Sequence, residues 1–245
     1  MNNKRRIDQI LVDLELAPTR EKAQSLILAG QVLINEVPVT KAGEKYNPLK
    51  IEIRIKEGLR FVGRGGDKLL PAISHFDFNL KDKIVIDVGS STGGFTDCLL
   101  SLGATKSYCV DVGYNQLDYK LRVDPRVKVL EKLNAKDLNK SFFDELPNFL
   151  VMDLSFISVR KVFDAVFTVM ADNFSALVLV KPQFELEKDY IEKGGVVKDI
   201  DHQMKAVELV RNDLLSRNLN ILGSVACELK GAKKGNQEYF IGFTR

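Results

Sequence analysis

The stretch Ile84-Val-Ile-Asp-Val-Gly-Ser-Ser-Thr-Gly-Gly-Phe95 decides the fold of the larger part of this 245-residue chain. Its first five residues are typical of a buried strand, which runs into a glycine-rich turn and then into a helix. Glycine has no Cβ, so the chain can turn tightly here and a ligand can lie directly against the backbone. A helix that begins near Gly94 offers unpaired amide groups to a polar part of that ligand. The stretch therefore predicts either a cofactor-binding turn or a purely structural strand-to-helix turn.

A carboxylate at the end of the next strand favours the cofactor-binding interpretation. This strand ends at Asp111, where a carboxylate can accept hydrogen bonds from both hydroxyls of a ribose. The spacing Gly89-x-x-x-Gly93-Gly94 matches neither the G-x-G-x-x-G pattern of dinucleotide folds nor the G-x-x-x-x-G-K-[ST] pattern of phosphate loops. The spacing disfavours NAD and ATP, and it favours S-adenosylmethionine as the cofactor.

Strands and helices alternate from residue 67 onward, which is typical of an α/β protein with a mostly parallel sheet. We expect a Rossmann-like sheet whose last strand is antiparallel. The predicted strands are 84–88, 106–110, 127–130, 149–152, 177–180, 221–226 and 239–243. The predicted helices are 68–73, 95–102, 159–170 and 203–218.

Residues 1–60 are predicted to form a separate small α+β domain. Apolar residues at positions 7, 10, 11 and 14 share one face of a first helix. Thr19 is placed to cap a second helix, which Gly30 would end in a left-handed conformation. Alternating apolar residues on either side of Asn35-Glu36 predict a hairpin, and positions 51, 53 and 55 predict a third strand. The Gly- and Arg-rich residues 61–66 are predicted to link this domain to a second domain, 67–245.

The formal net charge of +3 lies entirely in the first domain. Residues 1–60 carry 11 Lys and Arg against 8 Asp and Glu, whereas residues 61–245 carry 25 of each. A small basic domain on a neutral body is a common layout in RNA-binding proteins, although an excess of three charges is also within ordinary scatter. The candidate RNA-binding residues lie on or beside the two short helices; they are Arg5, Arg6, Arg20 and Lys22. The alternative is that these are solvated surface charges.

Composition excludes several classes of protein. Hydrophobic residues make up 45% and charged residues 28%, which is ordinary globular usage and argues against disorder. The sequence contains no apolar run long enough to span a membrane, and Met-Asn-Asn-Lys-Arg-Arg lacks the apolar core of a signal peptide. Three cysteines and two histidines are too few for a disulfide framework or a metal site. We therefore expect a cytoplasmic protein without a bound metal.

Charged residues follow two of the predicted strands at the point where each strand ends. Asp153 follows one apolar strand, and Lys181 follows the next. A lysine at the end of a buried strand is unusual, because a buried ammonium group is costly unless it is paired. Lys68 precedes the first strand of the sheet and Glu238 precedes the last, so two lysines and two carboxylates could form one cluster beside the glycine turn. Each of them taken alone could equally be a solvated charge.

These motifs together resemble the TlyA family, in which an S4-type RNA-binding domain precedes an FtsJ-like methyltransferase domain. The resemblance covers nearly the whole chain. It rests on Lys4-Arg5-Arg6-Ile7-Asp8, Thr19-Arg20, Gly30-Gln-Val-Leu-Ile-Asn35, Arg64-Gly-Gly-Asp-Lys-Leu69, Asp87-Val-Gly-Ser-Ser-Thr-Gly-Gly-Phe-Thr-Asp97, Asp111-Val-Gly113, Met152-Asp-Leu-Ser-Phe-Ile157, Lys181-Pro-Gln-Phe-Glu185, Gly194-Gly-Val-Val-Lys-Asp199 and Gly235-Asn-Gln-Glu238.

The resemblance implies methylation of a ribose 2′-hydroxyl in ribosomal RNA, commonly at cytidine, with S-adenosylmethionine as the methyl donor. It implies that free ribosomal RNA or a ribosomal subunit is the partner, and it leaves the oligomeric state open. The catalytic tetrad of the family carries over onto Lys68, Asp153, Lys181 and Glu238. The implied cofactor-binding residues are Asp87, Gly89, Ser91, Gly93, Gly94, Phe95, Asp111, Asn134 and Asp153.

The chemistry of the tetrad fits the implied reaction, because a ribose hydroxyl is a poor nucleophile at neutral pH. An amine at Lys181 can take its proton or hold the developing alkoxide, with the two carboxylates orienting the lysines. Phe184 and Tyr190 could stack on the target base, and Lys230, Lys233 and Lys234 could contact the substrate strand. The alternatives are an RNA-binding scaffold without activity, a small-molecule methyltransferase, or a cytolysin, since members of the family are often labelled hemolysins.

Overall fold

The computed structural model describes residues 4–56, 60–229 and 235–245. The chain divides into two compact units, Met1–Arg60 and Phe61–Arg245. Among the described residues, none of the helices combines the length and the apolar composition needed to cross a bilayer.

The described residues of the smaller unit form an α+β domain with two α-helices, five short strands and a 3₁₀ helix (Pro48–Lys50). In chain order its elements are β1 (Arg5–Arg6), α1 (Ile7–Asp13), α2 (Arg20–Leu28), β2 (Val32–Ile34), β3 (Val37–Pro38), β4 (Lys45–Tyr46) and β5 (Ile53–Ile55). Strand β2 lies between β3 and β5, and β1 pairs with β4. Buried residues of both helices, such as Ile10 and Ile27, pack with Val32 of β2 into one core.

The helix cap and the hairpin turn predicted in this unit are confirmed. Leu14, which we expected on the apolar face of the first helix, is instead its exposed C-cap. The Thr19 hydroxyl accepts a hydrogen bond from the Lys22 amide at 3.2 Å, which caps α2. Asn35 and Glu36 both have positive φ, as a tight two-residue hairpin turn requires. The two-residue strands β1 and β4 were not predicted, because so short a pairing leaves no periodicity in the sequence.

The larger unit is a seven-stranded sheet covered by helices. Its elements are α3 (Arg64–His75), β6 (Ile84–Val88), α4 (Gly94–Ser101), β7 (Lys106–Asp111), α5 (Tyr119–Arg122), β8 (Val127–Glu131), β9 (Phe149–Met152), α6 (Phe163–Thr168), β10 (Ser175–Val180), α7 (Pro182–Glu185), α8 (Ile200–Ser216), β11 (Asn220–Ala226) and β12 (Tyr239–Thr244). The strand order is β11-β12-β10-β9-β6-β7-β8, and all neighbours are parallel except β12, which runs antiparallel to β10 and β11. The predicted fold class is thereby confirmed.

The central strands alternate between two cores, because successive side chains of a strand point to opposite faces. In β9, Leu150 and Met152 pack with residues of α6 and α8. Phe149 and Val151 pack with residues of α3 and α4 on the other face. Because β6 to β10 run parallel, their carboxyl ends lie at one edge of the sheet, which is buried on both faces.

Residues 61–66, which we expected to be a linker, belong to the larger unit. Phe61 is buried in one of its cores, and α3 begins at Arg64, earlier than predicted. The glycines are there for close packing: a Cβ at Gly94 would lie 3.0 Å from the Gly63 carbonyl oxygen and 3.1 Å from the Gly66 amide nitrogen. A glycine-rich stretch that brings two backbones together cannot be told from a hinge by composition alone.

The helix predicted over 159–170 is also corrected. The structure has a short 3₁₀ turn, Val159–Lys161, followed by α6 over Phe163–Thr168. The Val159 amide donates to the buried Glu185 carboxylate at 2.8 Å, and β-branched valines weaken the helix that follows.

The close packing at Gly66 leads to a first prediction. Gly→Ala within a helix ordinarily stabilises by up to about 1 kcal/mol. At Gly66, however, an added Cβ would lie 2.2 Å from Phe61 Cδ2, so we expect Gly66→Ala to lower the free energy of unfolding by about 2 kcal/mol. Thermal unfolding of the full chain measures the effect.

Gly65→Ala is the matched control, because it lies in the same turn of α3. An added Cβ there would lie 3.0 Å from Phe95 Cδ1, so its loss of stability should be clearly smaller. Equal melting temperatures for the Gly66→Ala and wild-type proteins would show that Phe61 does not pack where the structure puts it.

Candidate active site

A cavity of about 710 Å³ lies at the carboxyl ends of the central strands, and all four tetrad residues predicted from the sequence line it. Asp153 follows β9 and Lys181 follows β10, while Glu238 immediately precedes the antiparallel β12. Lys68 reaches the same cavity from the second turn of α3. Four residues spread over most of the chain thus meet at one edge of the sheet.

The four side chains form two ion pairs. Lys68 Nζ lies 2.5 Å from Glu238 Oε2, and Lys181 Nζ lies 2.5 Å from Asp153 Oδ1. Lys181 also donates a hydrogen bond to the Ser155 hydroxyl at 3.0 Å. Three of these charged side chains are almost fully buried, and that of Asp153 is about three-quarters buried. Each ammonium group therefore has its own carboxylate, which offsets the cost of its burial.

The cavity also contains acceptors whose hydrogen bonding is incomplete. Asp153 Oδ1 touches Lys181 Nζ without the angle of a hydrogen bond, and Asp87 Oδ1 and Gln183 Oε1 are likewise buried acceptors without a hydrogen-bond partner among the described residues. All three residues line the cavity. An unsatisfied buried acceptor costs about 1–3 kcal/mol, so a ligand with donor groups would recover stability there.

The glycine turn brings the end of β6 against the end of β9. Gly89 has φ +87°, and a Cβ there would lie 2.4 Å from the Asp153 carbonyl oxygen. Gly89, Ser91, Gly94 and Phe95 line the cavity. Gly93 does not: it caps α4 with φ +93°, and its Cα faces Leu117 and Leu121. The turn therefore needs glycine at 89 for close approach and at 93 for conformation.

Asp111 lies at a second cavity of about 280 Å³, which shares Gly89, Ser91 and Asp153 with the first. The Asp111 carboxylate accepts hydrogen bonds from the Ser91 amide at 2.8 Å and from the Gly113 amide at 2.7 Å. It thus fixes the glycine turn, and each oxygen keeps a further lone pair for a ligand.

Asn134 does not line either cavity. Its side chain is turned to its own 3₁₀ helix, where the carbonyl oxygen accepts a hydrogen bond from the Lys136 amide at 3.1 Å. The flanking residues Leu133 and Ala135 line the second cavity instead. An asparagine that caps a turn cannot be distinguished from a ligand-binding one by sequence.

Two further features of the site were not predicted. Phe156 has a positive φ of 68° and is 87% exposed, and its ring lies 5.4 Å from that of Phe184 at the mouth of the cavity. Asn236, which is buried, accepts from the Val197 amide at 3.0 Å and donates to the Gly195 carbonyl at 2.8 Å. It therefore holds the loop whose Gly194 and Gly195 line the cavity. The motifs around both residues were visible in the sequence, but their roles depend on contacts far along the chain.

The RNA-binding candidates all lie in the smaller unit. Arg6 and Arg20 both bond to the carboxylate of Asp8, whereas Arg5 pairs with Asp13. Lys22 is an exposed residue in the first turn of α2. Lys230, Lys233 and Lys234 lie outside the described residues. No group of His, Cys, Asp and Glu in the described parts of the chain could hold a metal ion.

A seven-stranded, mostly parallel sheet with an antiparallel β12 and a cavity at the carboxyl ends of its central strands defines a methyltransferase of the Rossmann-like class. The chain belongs to the FtsJ-like methyltransferase family, which it matches over residues 61–245, and residues 5–48 match the S4 domain. The resemblance that we drew from the sequence is confirmed.

Relatives and solved structures agree with this assignment. The chain is 40% identical to Hemolysin A of Brachyspira hyodysenteriae over 97% of this chain and 99% of that protein. It is 36% identical to the 16S/23S rRNA (cytidine-2'-O)-methyltransferase TlyA of Mycobacterium tuberculosis over 98% of this chain and 90% of that one. A solved structure from Streptococcus thermophilus, described as a hemolysin, superposes with a TM-score of 0.76 at 36% identity over 100% of this chain and 90% of that chain.

Asp87 provides a test of the electrostatics of the site. Burial raises the pKa of its carboxyl to about 7, and the charges of Asp153 and Asp111 add to this, while hydrogen bonds from Thr96 oppose it. Between about pH 4 and 7 the folded protein therefore holds a proton that the unfolded chain has lost, so stability should fall as the pH rises through this window.

We expect Asp87→Asn to remove this dependence, because the amide oxygen can still accept from the Thr96 amide and hydroxyl, at 3.1 and 2.8 Å in the wild type. The variant should melt several degrees above the wild type at pH 8, with a smaller difference at pH 5. Thermal unfolding across this range measures both. If the stability of the wild type changed between pH 5 and 8 in the same way as that of the Asp87→Asn variant, the raised pKa of Asp87 would be contradicted.

Proposed function

We propose that this protein transfers a methyl group from S-adenosylmethionine to a ribose 2′-hydroxyl of ribosomal RNA. The observation that carries the proposal is the pair of buried ion pairs, Lys68–Glu238 and Lys181–Asp153, in one cavity beside the glycine turn. The name of the Mycobacterium tuberculosis relative supports cytidine in 16S or 23S ribosomal RNA as the target. The partner would then be ribosomal RNA or a ribosomal subunit, met in the cytoplasm.

The two cavities fit S-adenosylmethionine by their donor and acceptor chemistry. Asp111 in the smaller cavity suits the ribose hydroxyls, and Leu133 and Ala135 offer an apolar wall to the adenine. The Asp153 carboxylate, whose Oδ1 lacks a hydrogen bond, suits the positively charged methionine part, and the buried Asp87 carboxyl lies in the same cavity. When bound, the cofactor supplies a methyl group that its sulfonium has already activated.

Lys181 is the residue that we assign to the ribose hydroxyl. Its amine is buried in the cavity and held from two sides, by Asp153 and by the Ser155 hydroxyl. An amine so placed takes the proton of the hydroxyl or, as an ammonium, stabilises the negative charge that develops on the oxygen. Asp153 orients Lys181, and Glu238 orients Lys68 in the same way. A fixed position of these groups lowers the entropic part of the barrier.

The pair of aromatic rings, Phe156 and Phe184, gives the cavity a place for a nucleobase. Phe156 and Phe184 both line its mouth, and an aromatic residue that is 87% exposed with a positive φ is held at a cost in both solvation and backbone strain. Stacking of a base on an aromatic ring contributes about 1–3 kcal/mol. We infer that the target base stacks here while its ribose reaches Lys181.

A scaffold role without catalysis is the main alternative, and the ion pairs argue against it. Replacing buried ion pairs with apolar residues is often neutral or stabilising. Nothing in a scaffold would require two lysines and two carboxylates to be buried at the end of the sheet. A comparison of ribose methylation in ribosomal RNA from cells with and without the gene tests the proposed function directly.

We expect Lys181→Ala to reduce turnover on ribosomal subunits by about 100-fold or more, while the affinity for S-adenosylmethionine changes less than threefold. The reason is that the amine acts on the attacking oxygen, whereas the cofactor is held mainly by the glycine turn and the carboxylates. Single-turnover methylation and isothermal titration calorimetry measure the two quantities.

Lys161→Ala is the matched control, since Lys161 is exposed on a 3₁₀ turn outside the cavity. It should leave both quantities unchanged. The role given to Lys181 is wrong if Lys181→Ala still binds cofactor and keeps most of the wild-type rate.

The aromatic pair should act mainly on the RNA side of the reaction. We expect Phe156→Ala to lower kcat/KM for ribosomal subunits by about tenfold or more, the equivalent of the lost stacking. The loss of cofactor affinity should be smaller than this, although Phe156 also lines the second cavity. Phe156→Tyr retains a stacking ring and should restore most of the activity. Equal losses for the Ala and Tyr variants would show that stacking is not the role of this residue.

A further inference from the structure

Asp8 in the smaller unit is a fully buried carboxylate with four hydrogen-bond donors on it. It lies in the first turn of α1 and has no solvent exposure. Arg6 donates from Nε at 3.0 Å and from Nη2 at 2.9 Å, Arg20 donates from Nε at 2.9 Å, and Gln24 donates from Nε2 at 3.0 Å. Oδ2 accepts three of these hydrogen bonds and Oδ1 accepts one, so three side chains hold the Asp8 carboxylate at once.

The carboxylate and the two guanidinium groups depend on each other. An unpaired charge in this position would be costly to bury. The bidentate hydrogen bond from Arg6, with those from Gln24 and Arg20, holds the pKa of Asp8 well below its usual range, so the carboxyl is ionised at neutral pH. Without this carboxylate, the guanidinium groups of Arg6 and Arg20 would repel each other at this distance.

The arrangement leaves donors at the surface. The Arg6 side chain is 38% exposed and that of Arg20 is 47% exposed. In the described part of the chain the Nη1 atom of neither arginine has an acceptor, and Arg20 uses only Nε on Asp8. Arg6 Nη2 and Arg20 Nε contact the same oxygen, Oδ2. The two guanidinium groups are therefore held side by side, and their remaining N–H groups can bind one phosphate group.

The neighbouring Arg5 shows what an ordinary pair looks like. Arg5 forms a one-to-one ion pair with Asp13, and both side chains are about half exposed. Such surface pairs contribute little to stability and do not order a side chain strongly. Asp13 thus offers a matched comparison: it is also a carboxylate of α1 that pairs with an arginine of β1.

We propose that Asp8 is a positioning residue for RNA binding, which holds Arg6 and Arg20 together as one phosphate-binding site. The proposal rests on the proposed function, in which the protein binds ribosomal RNA. Fixing a long arginine side chain in one position costs rotamer entropy. Because Asp8 already orders both arginine side chains in the folded protein, phosphate binding does not have to order them.

The sign of the effect separates positioning from simple charge. Asp8→Asn and Asp13→Asn each remove one negative charge, so charge alone predicts slightly tighter RNA binding for both variants. The positioning role predicts opposite results. We expect about tenfold weaker binding for Asp8→Asn and unchanged or slightly tighter binding for Asp13→Asn, measured with the full-length protein on purified ribosomal subunits by filter binding.

Salt dependence and folding controls complete the test. We expect the slope of log Kd against log salt to fall by about one unit for Asp8→Asn, because one phosphate contact is lost. Melting temperature and S-adenosylmethionine affinity are measured on the same preparations. Asp8→Asn that binds subunits as tightly as the wild type overturns the positioning role.

A thermodynamic cycle with Arg20→Lys distinguishes positioning from loss of structure. Lysine keeps the positive charge but lacks the planar set of N–H donors of a guanidinium group, so Arg20→Lys should itself weaken RNA binding several-fold. If Asp8 acts through the arginines, Asp8→Asn in the Arg20→Lys background should add less than threefold. Fully additive losses would show that Asp8 only maintains the fold of the unit, and would overturn the proposal.

The outcome for the proposed function is read separately. Wild-type protein that binds subunits but transfers no methyl group would count against the methyltransferase activity and leave the role of Asp8 standing. If the wild type methylates normally and Asp8→Asn binds subunits as tightly as the wild type, the methyltransferase activity stands and the role of Asp8 is wrong.

Discussion

Two ammonium groups can be buried at the end of one sheet only if each has a carboxylate of its own. Lys181–Asp153 and Lys68–Glu238 meet that condition. The strands and helices of the larger unit bring these four residues together. Adjacent parallel strands β9 and β10 supply one pair at their carboxyl ends. The antiparallel β12 and helix α3 supply the other. Charge balance thus ties the topology of the sheet to the chemistry at its edge.

Close backbone approach is the second constraint on the site. Gly89 lets the end of β6 touch the chain after Asp153, and Gly94 lets α4 begin against the first turn of α3. Any side chain at these positions would separate the elements that carry Asp153 and Lys68. The glycines therefore act on the tetrad by setting distances between backbones, in addition to leaving room for a cofactor.

The sequence was most informative where burial on two faces leaves a continuous apolar run. Strands 84–88 and 149–152 were predicted to the residue, because few other structures suit so short an apolar segment bounded by polar residues. The meeting of Asp153 and Lys181 could also be anticipated, since carboxyl ends of parallel strands share an edge, whereas Lys68 and Glu238 were joined to them through the family resemblance. What could not be anticipated depends on contacts that leave no periodic pattern in the sequence. Residues 61–66 pack through contacts of Phe61, and Asn134 turns to its own helix. Phe156 looks like an ordinary apolar residue until its exposure is known.

The register of β12 has a consequence for how this protein can change over evolution. Tyr239 pairs with Val180, so Glu238 and Lys181 are the next residues outward on neighbouring strands. Their relative position is set by the ladder between β10 and β12 and not by the connection that leads into β12. Insertions or deletions between residues 227 and 235 would leave this ladder, and with it the charged groups, in place. That connection is therefore where related proteins are free to diverge in length.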